Sequence, residues 1–301
     1  AKLRDGQRRR MPRPKKIVAT GLVAIVAIAF LIPFYWLLIS SLRQPDRIFA
    51  DAGRFLPSSL TLQNFETVFA ETPVVAWFMN SVILAAGSTV GSIVVVTMAA
   101  YALARIRFPF RNTIFVSILA SQMLPFHLLL IPLFVLMINL SLIDTHLGVI
   151  LPTLAHAFGL FYMRQYILGL PHDVFDAARV DGASEYRIFF QIVVPMVKPA
   201  LATLAIIFSL EQWNDLLWPL IVTTDEQMRT LTAGLALFKG QHNAEYGLLM
   251  AGAILALLPM VVAFFLVQRR FIEGIATTGL KRWPPERSCA GSSRTGSTSP
   301  S

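Results

Sequence analysis

The chain has 301 residues, 55% of them hydrophobic and 14% charged, with a mean hydropathy of +0.62, whereas soluble domains carry about a quarter charged residues. That balance excludes an ordinary soluble domain and points to a polytopic membrane protein. The net charge of +9 calls for no nucleic acid, since basic residues gather at anionic membrane surfaces, and one cysteine, Cys289, with no Cys/His cluster at metal-ligand spacing, argues against disulfide, redox or metal chemistry.

A hydrocarbon core about 30 Å thick needs roughly 20 apolar residues in a helix. Six runs qualify: about 17–42, 78–104, 113–138, 147–168, 198–222 and 247–270. A basic segment, 1–16, precedes them. Met11 lies just before its Pro-Arg-Pro-Lys-Lys run, so the first ten residues read as an upstream extension. The first span follows; it is longer than the apolar stretch of a signal peptide and no small-x-small cleavage site follows closely, so it is expected to stay in the membrane. Its far end carries Tyr35 and Trp36, suited to an interface. The connection 43–76 includes Thr61, placed to cap a short helix along the outer surface.

Span two is rich in small residues, and Gly87 with Gly91 forms a small-xxx-small face that serves either internal packing or a partner. Kinks are expected at Pro125 and Pro132 in span three, Pro152 in span four, Pro219 in span five and Pro259 in span six. Ionisable groups in hydrocarbon are functional candidates by default. Glu211 and Asp215 in span five stand out, and with Trp213 and Asn214 they are candidates for lining a translocation path. His127 and His156 read as core histidines with satisfied nitrogens. After span six, residues 283–301 are rich in Ser, Gly and Thr and read as a disordered tail.

With the N-terminus in the cytoplasm, only Arg43, Arg47, Arg54, Arg229 and Lys239, five of the 26 Lys and Arg residues, fall outside. The positive-inside bias therefore places both termini, and the segment 169–197, in the cytoplasm.

That segment contains "DVFDAARVDGASEYRIFFQIVVPMVKPA" (173–200), conspicuously charged in an apolar chain. Pro171 opens a helix and Asp173 suits its N-terminus. Val174, Ala177 and Ala178 follow at helical spacing, Gly182 allows a turn, and "ASEYRIFF" starts a second helix with Phe189 and Phe190 on its apolar side. His172 beside Asp173 reads as a solvated pair. The pattern describes a helix-turn-helix bracket, which serves either as an amphipathic element on headgroups or as a docking surface.

At these residues the chain resembles the cytoplasmic "EAA" signature of ATP-binding-cassette importer permeases, with Asp176, Ala177, Ala178, Asp181, Gly182, Ala183, Phe189 and Pro195 at matching spacing. Asp176 stands where the signature has Glu, one methylene shorter. "FMNSVILA" (78–85), "AAYALARIRF" (99–108), "MLPFHLLLIPLFVLM" (123–137), "SLIDTHLGVIL" (141–151), "EQWNDLLWPLIV" (211–222) and "EGIATTGLK" (273–281) extend the resemblance over about 17–282, to the shorter maltose-permease-type subunit of the carbohydrate-uptake branch.

The resemblance implies an all-α permease domain over 17–282, with six transmembrane helices and a cytoplasmic coupling bracket at about 171–195, in a bacterial or archaeal cytoplasmic membrane. It implies a second, homologous permease subunit, two ATPase subunits that carry ATP and Mg, and an extracytoplasmic substrate-binding protein. It also makes a contact of Lys281 or Arg282 with the ATPases conceivable. The cargo it implies is a sugar or oligosaccharide, with glycerol-phosphate compounds as the alternative.

The chain itself has no G-x-x-x-x-G-K-[ST] loop and no nucleophile constellation, so it is expected to bind no cofactor and to be no enzyme. Two rival readings remain at this stage. One is an ion-coupled transporter using Glu211 and Asp215, and the other is a membrane scaffold that binds a partner through the bracket.

Overall fold

The computed structural model describes residues 13–44, 48, 54–57, 59–241 and 246–278. The basic segment before residue 13, the tail 283–301 and a tail contact by Lys281 or Arg282 lie outside them. No strand occurs among the described residues. The helices are α1 (Arg13–Ser41), α2 (Gln63–Glu71), α3 (Val74–Arg105), α4 (Arg111–Ser121), α5 (Phe126–Asn139), α6 (His146–Thr153), α7 (Ala157–Leu168), α8 (His172–Val180), α9 (Glu185–Ile188), α10 (Val194–Met196), α11 (Lys198–Asn214), α12 (Leu217–Val222), α13 (Leu231–Gln241) and α14 (Tyr246–Thr278). A π-helical turn, Phe189–Val193, joins α9 to α10.

Three stretches are long and apolar enough to cross a membrane unbroken: Thr20–Ser41, Val74–Arg105 and Tyr246–Phe265. Three bent pairs bring the total up to six when each is counted as one broken span. Spans three, four and five are therefore broken rather than continuous. α4 and α5 meet at 98° and α6 and α7 at 51°, next to Pro125 and just after Pro152. Pro33, Pro132 and Pro259 lie inside helices that continue past them. A proline in an apolar helix frees a carbonyl that neighbouring helices can re-satisfy. Pro125 acts differently, because it starts a helix with ψ at 130° and disfavours a helical residue before it.

The helical run into span five begins at Glu185, bends by 76° between Met196 and Lys198, and breaks again after Asn214. At that second break Asp215 leaves the helical conformation, with ψ at 124°, two residues before α12 begins at Leu217.

α3 is the axis of the fold. It packs on α7 and α11 along its C-terminal half and on α6 and α13 along the other. Gly87 and Gly91 face α6 and the residue after it, where an added Cβ would lie 2.8 Å from Ile150 and 2.6 Å from Leu154. Their small-xxx-small face therefore serves internal packing. One apolar cluster binds α3, α7 and α11 to the bracket through Ala100, Leu160, Met163, Ile167, Phe175, Ile188, Val193, Leu204 and Phe208.

At the opposite end the connections before α3, after α5 and after α12 converge. Thr61 accepts the Gln63 amide at 3.1 Å, one residue before the N-cap position at Leu62. Buried Asn64 donates to the carbonyls of Ser41 and Arg43 at 2.8 and 2.7 Å. Trp77 donates to the Glu226 carbonyl at 2.7 Å, and Asn80 to those of Gln227 and Arg229.

Asp144 completes this clasp. Its carboxylate accepts the amides of Thr224 at 2.6 Å and Asp225 at 2.8 Å, and the Thr224 hydroxyl at 2.5 Å. Partial burial, the largest single influence, disfavours its ionised form. The three hydrogen bonds and the Arg229 charge together outweigh that and hold the carboxyl below the usual aspartate range.

A depressed carboxyl contributes stability that is present above about pH 4, the unfolded value, and is lost as pH falls through the folded one. In the detergent-solubilised protein, D144N is expected to unfold at a lower temperature than wild type at pH 7. The gap should close on acidification below pH 4; a gap that is independent of pH would count against this role for the ionised group.

Candidate coupling surface and translocation cavity

The bracket is built from local signals. Pro171 precedes α8, Asp173 sits in its first turn, and Arg179 in its last. The helix ends in a Schellman cap, with the Ala183 amide donating to the Ala178 carbonyl at 3.0 Å and the Gly182 amide to that of Arg179 at 3.0 Å. Gly182 has φ of +76°, the left-handed conformation that favours glycine. Ser184 then caps α9 by accepting the Arg187 amide at 3.3 Å.

The buried face of α8 is Phe175 with Ala178, while Val174 and Ala177 are exposed, which corrects the face expected from the sequence. In the second limb Phe189 is buried, whereas Phe190 is 61% exposed. Adjacent helix positions point about 100° apart, so Phe190 falls off the side that buries Phe189. Asp176, Ala177, Asp181, Gly182 and Pro195 are exposed, Ala183 is half-buried, and Ala178 and Phe189 anchor the bracket from beneath.

His172 and Asp173 are both exposed, but His172 has a further partner. Its Nδ1 lies 2.8 Å from an Arg105 guanidinium nitrogen, and Arg105 is buried. Neither Arg105 nor Tyr101, which donates to the Glu185 carboxylate, was singled out in the sequence. The one available signal was their spacing of four on "AAYALARIRF", which puts both on one helix face.

Between the two ends lies a cavity of about 980 Å³ bounded by α3, the two breaks in spans three and four, and α11. Its polar lining comprises Ser88, Ser121, Gln122, Thr153, His156, Glu211, Gln212, Asn214 and Asp215, without a Lys or Arg. Glu211 is exposed to this space, with one carboxylate oxygen 3.7 Å from His156 Nδ1, and the His156 ring stacks on Phe208 at 4.2 Å.

His156 is thus a cavity residue rather than a core one, and His127 is exposed on α5, because the breaks turn both segments away from helix packing. Of the four path candidates, Glu211, Asn214 and Asp215 meet at the cavity wall. Trp213 points the other way, donating to the Ala256 carbonyl at 3.2 Å and lying edge-on to Phe78. Among the described residues no group of three His, Cys, Asp or Glu could hold a metal ion.

Residues 96–276 match the family described as binding-protein-dependent transport system inner membrane component. The arabinooligosaccharides transport system permease protein AraQ of Halalkalibacterium halodurans is 40% identical over 261 residues, 86% of this chain and 94% of its own. The lactose transport system permease protein LacG of Rhizobium radiobacter is 35% identical over 268 residues, 89% of this chain and 96% of its own. Among solved structures, a chain of a bacterial ABC transporter involved in the import of the acidic polysaccharide alginate shares the fold. Its TM-score is 0.72 at 22% identity, over 89% of this chain and 99% of that one.

These findings displace the ion-coupled and scaffold readings. With its broken spans and exposed bracket, the chain belongs to the family of inner-membrane components of binding-protein-dependent transport systems and is a multi-pass membrane permease.

Proposed function

We propose that this permease forms half of the path of an ATP-driven importer for a neutral sugar or oligosaccharide, and that residues 173–195 dock it to an ATPase subunit. The observation that carries the docking is the exposed bracket itself. A short helix ends at Gly182 with Asp176, Ala177 and Asp181 outward, and an apolar underside holds it to the membrane helices.

ATP binds on two partner ATPases, a second permease completes the path, and an extracytoplasmic protein delivers cargo to the clasped end. In this topology both termini and the bracket are cytoplasmic. ATP-driven closure displaces the bracket, and the broken spans give the cavity its two accesses. The ATPases must bind the two permease states with different affinity, since equal affinity would shift nothing.

The sugar assignment rests on relatives that bear arabinooligosaccharide and lactose names. The cavity supports neutral cargo, because Glu211 and Asp215 lie in its wall with no Lys or Arg to compensate a phosphate or uronate in a medium of low dielectric.

The test is purification of the permease with its membrane neighbours, followed by ATP hydrolysis with binding proteins loaded with neutral oligosaccharides or with sugar phosphates. Co-purification of an ATPase and stimulation by a neutral sugar are expected. Stimulation by sugar phosphates alone would overturn the neutral cargo. A permease that moves sugar without an ATPase, and stops when an ion gradient is collapsed, would overturn the importer.

A further inference from the structure

Beyond their shared apolar cluster, the bracket is tied to α3 by polar contacts at two points, one in each limb, and neither lies on its exposed docking face. In the first, a second Arg105 guanidinium nitrogen donates to the carbonyls of Ile167 at 2.8 Å and Leu170 at 2.7 Å, while the first meets His172. The guanidinium carbon also lies 4.2 Å from the centre of the Phe175 ring. One side chain thus grips the end of α7, the start of α8 and the buried face of α8. In the second attachment, Tyr101, one turn along the same face of α3, donates to Glu185. The other oxygen of Glu185 accepts Arg179 Nε at 3.0 Å, and Arg179 lies 3.7 Å from exposed Asp176. A polar line therefore runs from the docking face, through both limbs, into α3.

The route from the second limb into the membrane helices is bent. α11 is reached through a π-turn and a 76° bend, joints that absorb displacement. α3 is a continuous helix of 32 residues, about 48 Å long at 1.5 Å per residue. Its middle lines the cavity at Ser88, Val95, Val96 and Ala99, and its far end holds the clasp through Trp77 and Asn80.

We propose that Arg105 and Tyr101 are positioning residues that clamp the bracket to α3, so that bracket displacement is delivered along α3 to the cavity and the clasp. The proposal rests on the reading that the bracket docks an ATPase. Arginine is required at 105 because only its planar fork reaches two carbonyls and a ring nitrogen together.

The assembled importer, reconstituted in liposomes, tests this through sugar accumulated per ATP hydrolysed. Y101F is expected to lower that ratio about tenfold, the worth of one lost hydrogen bond to a charged group. E185A should do the same, and the double variant should be no worse than E185A alone, because the two residues share one interaction. R105K should fall with R105A. A role confined to folding would lower the yield of assembled complex and leave the ratio unmoved.

A wild-type ratio in assembled Y101F and R105K complexes overturns the clamp, as do additive losses for Tyr101 and Glu185. A wild-type complex that hydrolyses ATP without accumulating sugar shows instead that the docking reading has failed, and the clamp falls with it.

Discussion

Replacing Gly182 with valine is expected to lower sugar-stimulated ATP hydrolysis and uptake by about tenfold, while G182N retains most of both. The reason is conformational rather than steric. A Cβ on Gly182 would meet nothing within 4 Å, so the cost is that of holding φ at +76°. For an L-residue the left-handed region costs about 1–2 kcal/mol, and β-branching adds to it, whereas asparagine visits that region readily. The strained turn would surrender the Schellman bonds of Ala183 and Gly182 and tilt the second limb away from its partner. Uptake and hydrolysis assays on reconstituted complexes check this. Equal activity of the valine and asparagine variants would show that the left-handed turn is dispensable.

Gly148 should be the most sensitive glycine outside the bracket. A Cβ there would lie 2.1 Å from the Leu142 carbonyl oxygen, a backbone atom that cannot rotate aside. The same oxygen accepts the Thr145 hydroxyl at 2.7 Å, which in turn accepts the Gly148 amide at 3.1 Å. The Gly148 carbonyl accepts the indole of Trp218 at 3.2 Å, and Trp218 is fully buried. Making room means moving α6 against the loop that carries Asp144. G148A is therefore expected to destabilise the folded chain by about 3 kcal/mol, the upper end of overpacking costs.

G169A is the matched control. Its Cβ comes no nearer than 3.4 Å to any atom, and its φ of −76° suits alanine, so it should be neutral or slightly stabilising. Unfolding in detergent measures both. Equal effects of the two substitutions would show that the close approach at Gly148 is relieved at little cost.

The sequence by itself determined what depends on neighbours along the chain. Six apolar runs mark the segments that enter the membrane, because an apolar run of about 20 residues is long enough to cross it. Pro171, Gly182 and Ser184 define the bracket because a helix start, a left-handed stop and a cap are local events. The "DAARVDGASEYR" pattern carried the family for the same reason.

Only the tertiary structure decided the rest. The contacts of Arg105 with His172, Tyr101 with Glu185, and Asp144 with Thr224 span 67, 84 and 80 residues. No helical or strand period encodes such a pairing. Composition does not say which prolines mark a break: Pro125 starts α5 after one, while Pro132, seven residues on, lies inside the same helix. Phe189 took the buried place and left Phe190, about 100° round the helix, exposed, and Trp213 turned from the cavity because Phe78 and the Ala256 carbonyl offered it a partner on α11's other face. Hydropathy specifies how often the chain crosses the membrane. Packing between distant segments specifies where it bends and which polar groups meet.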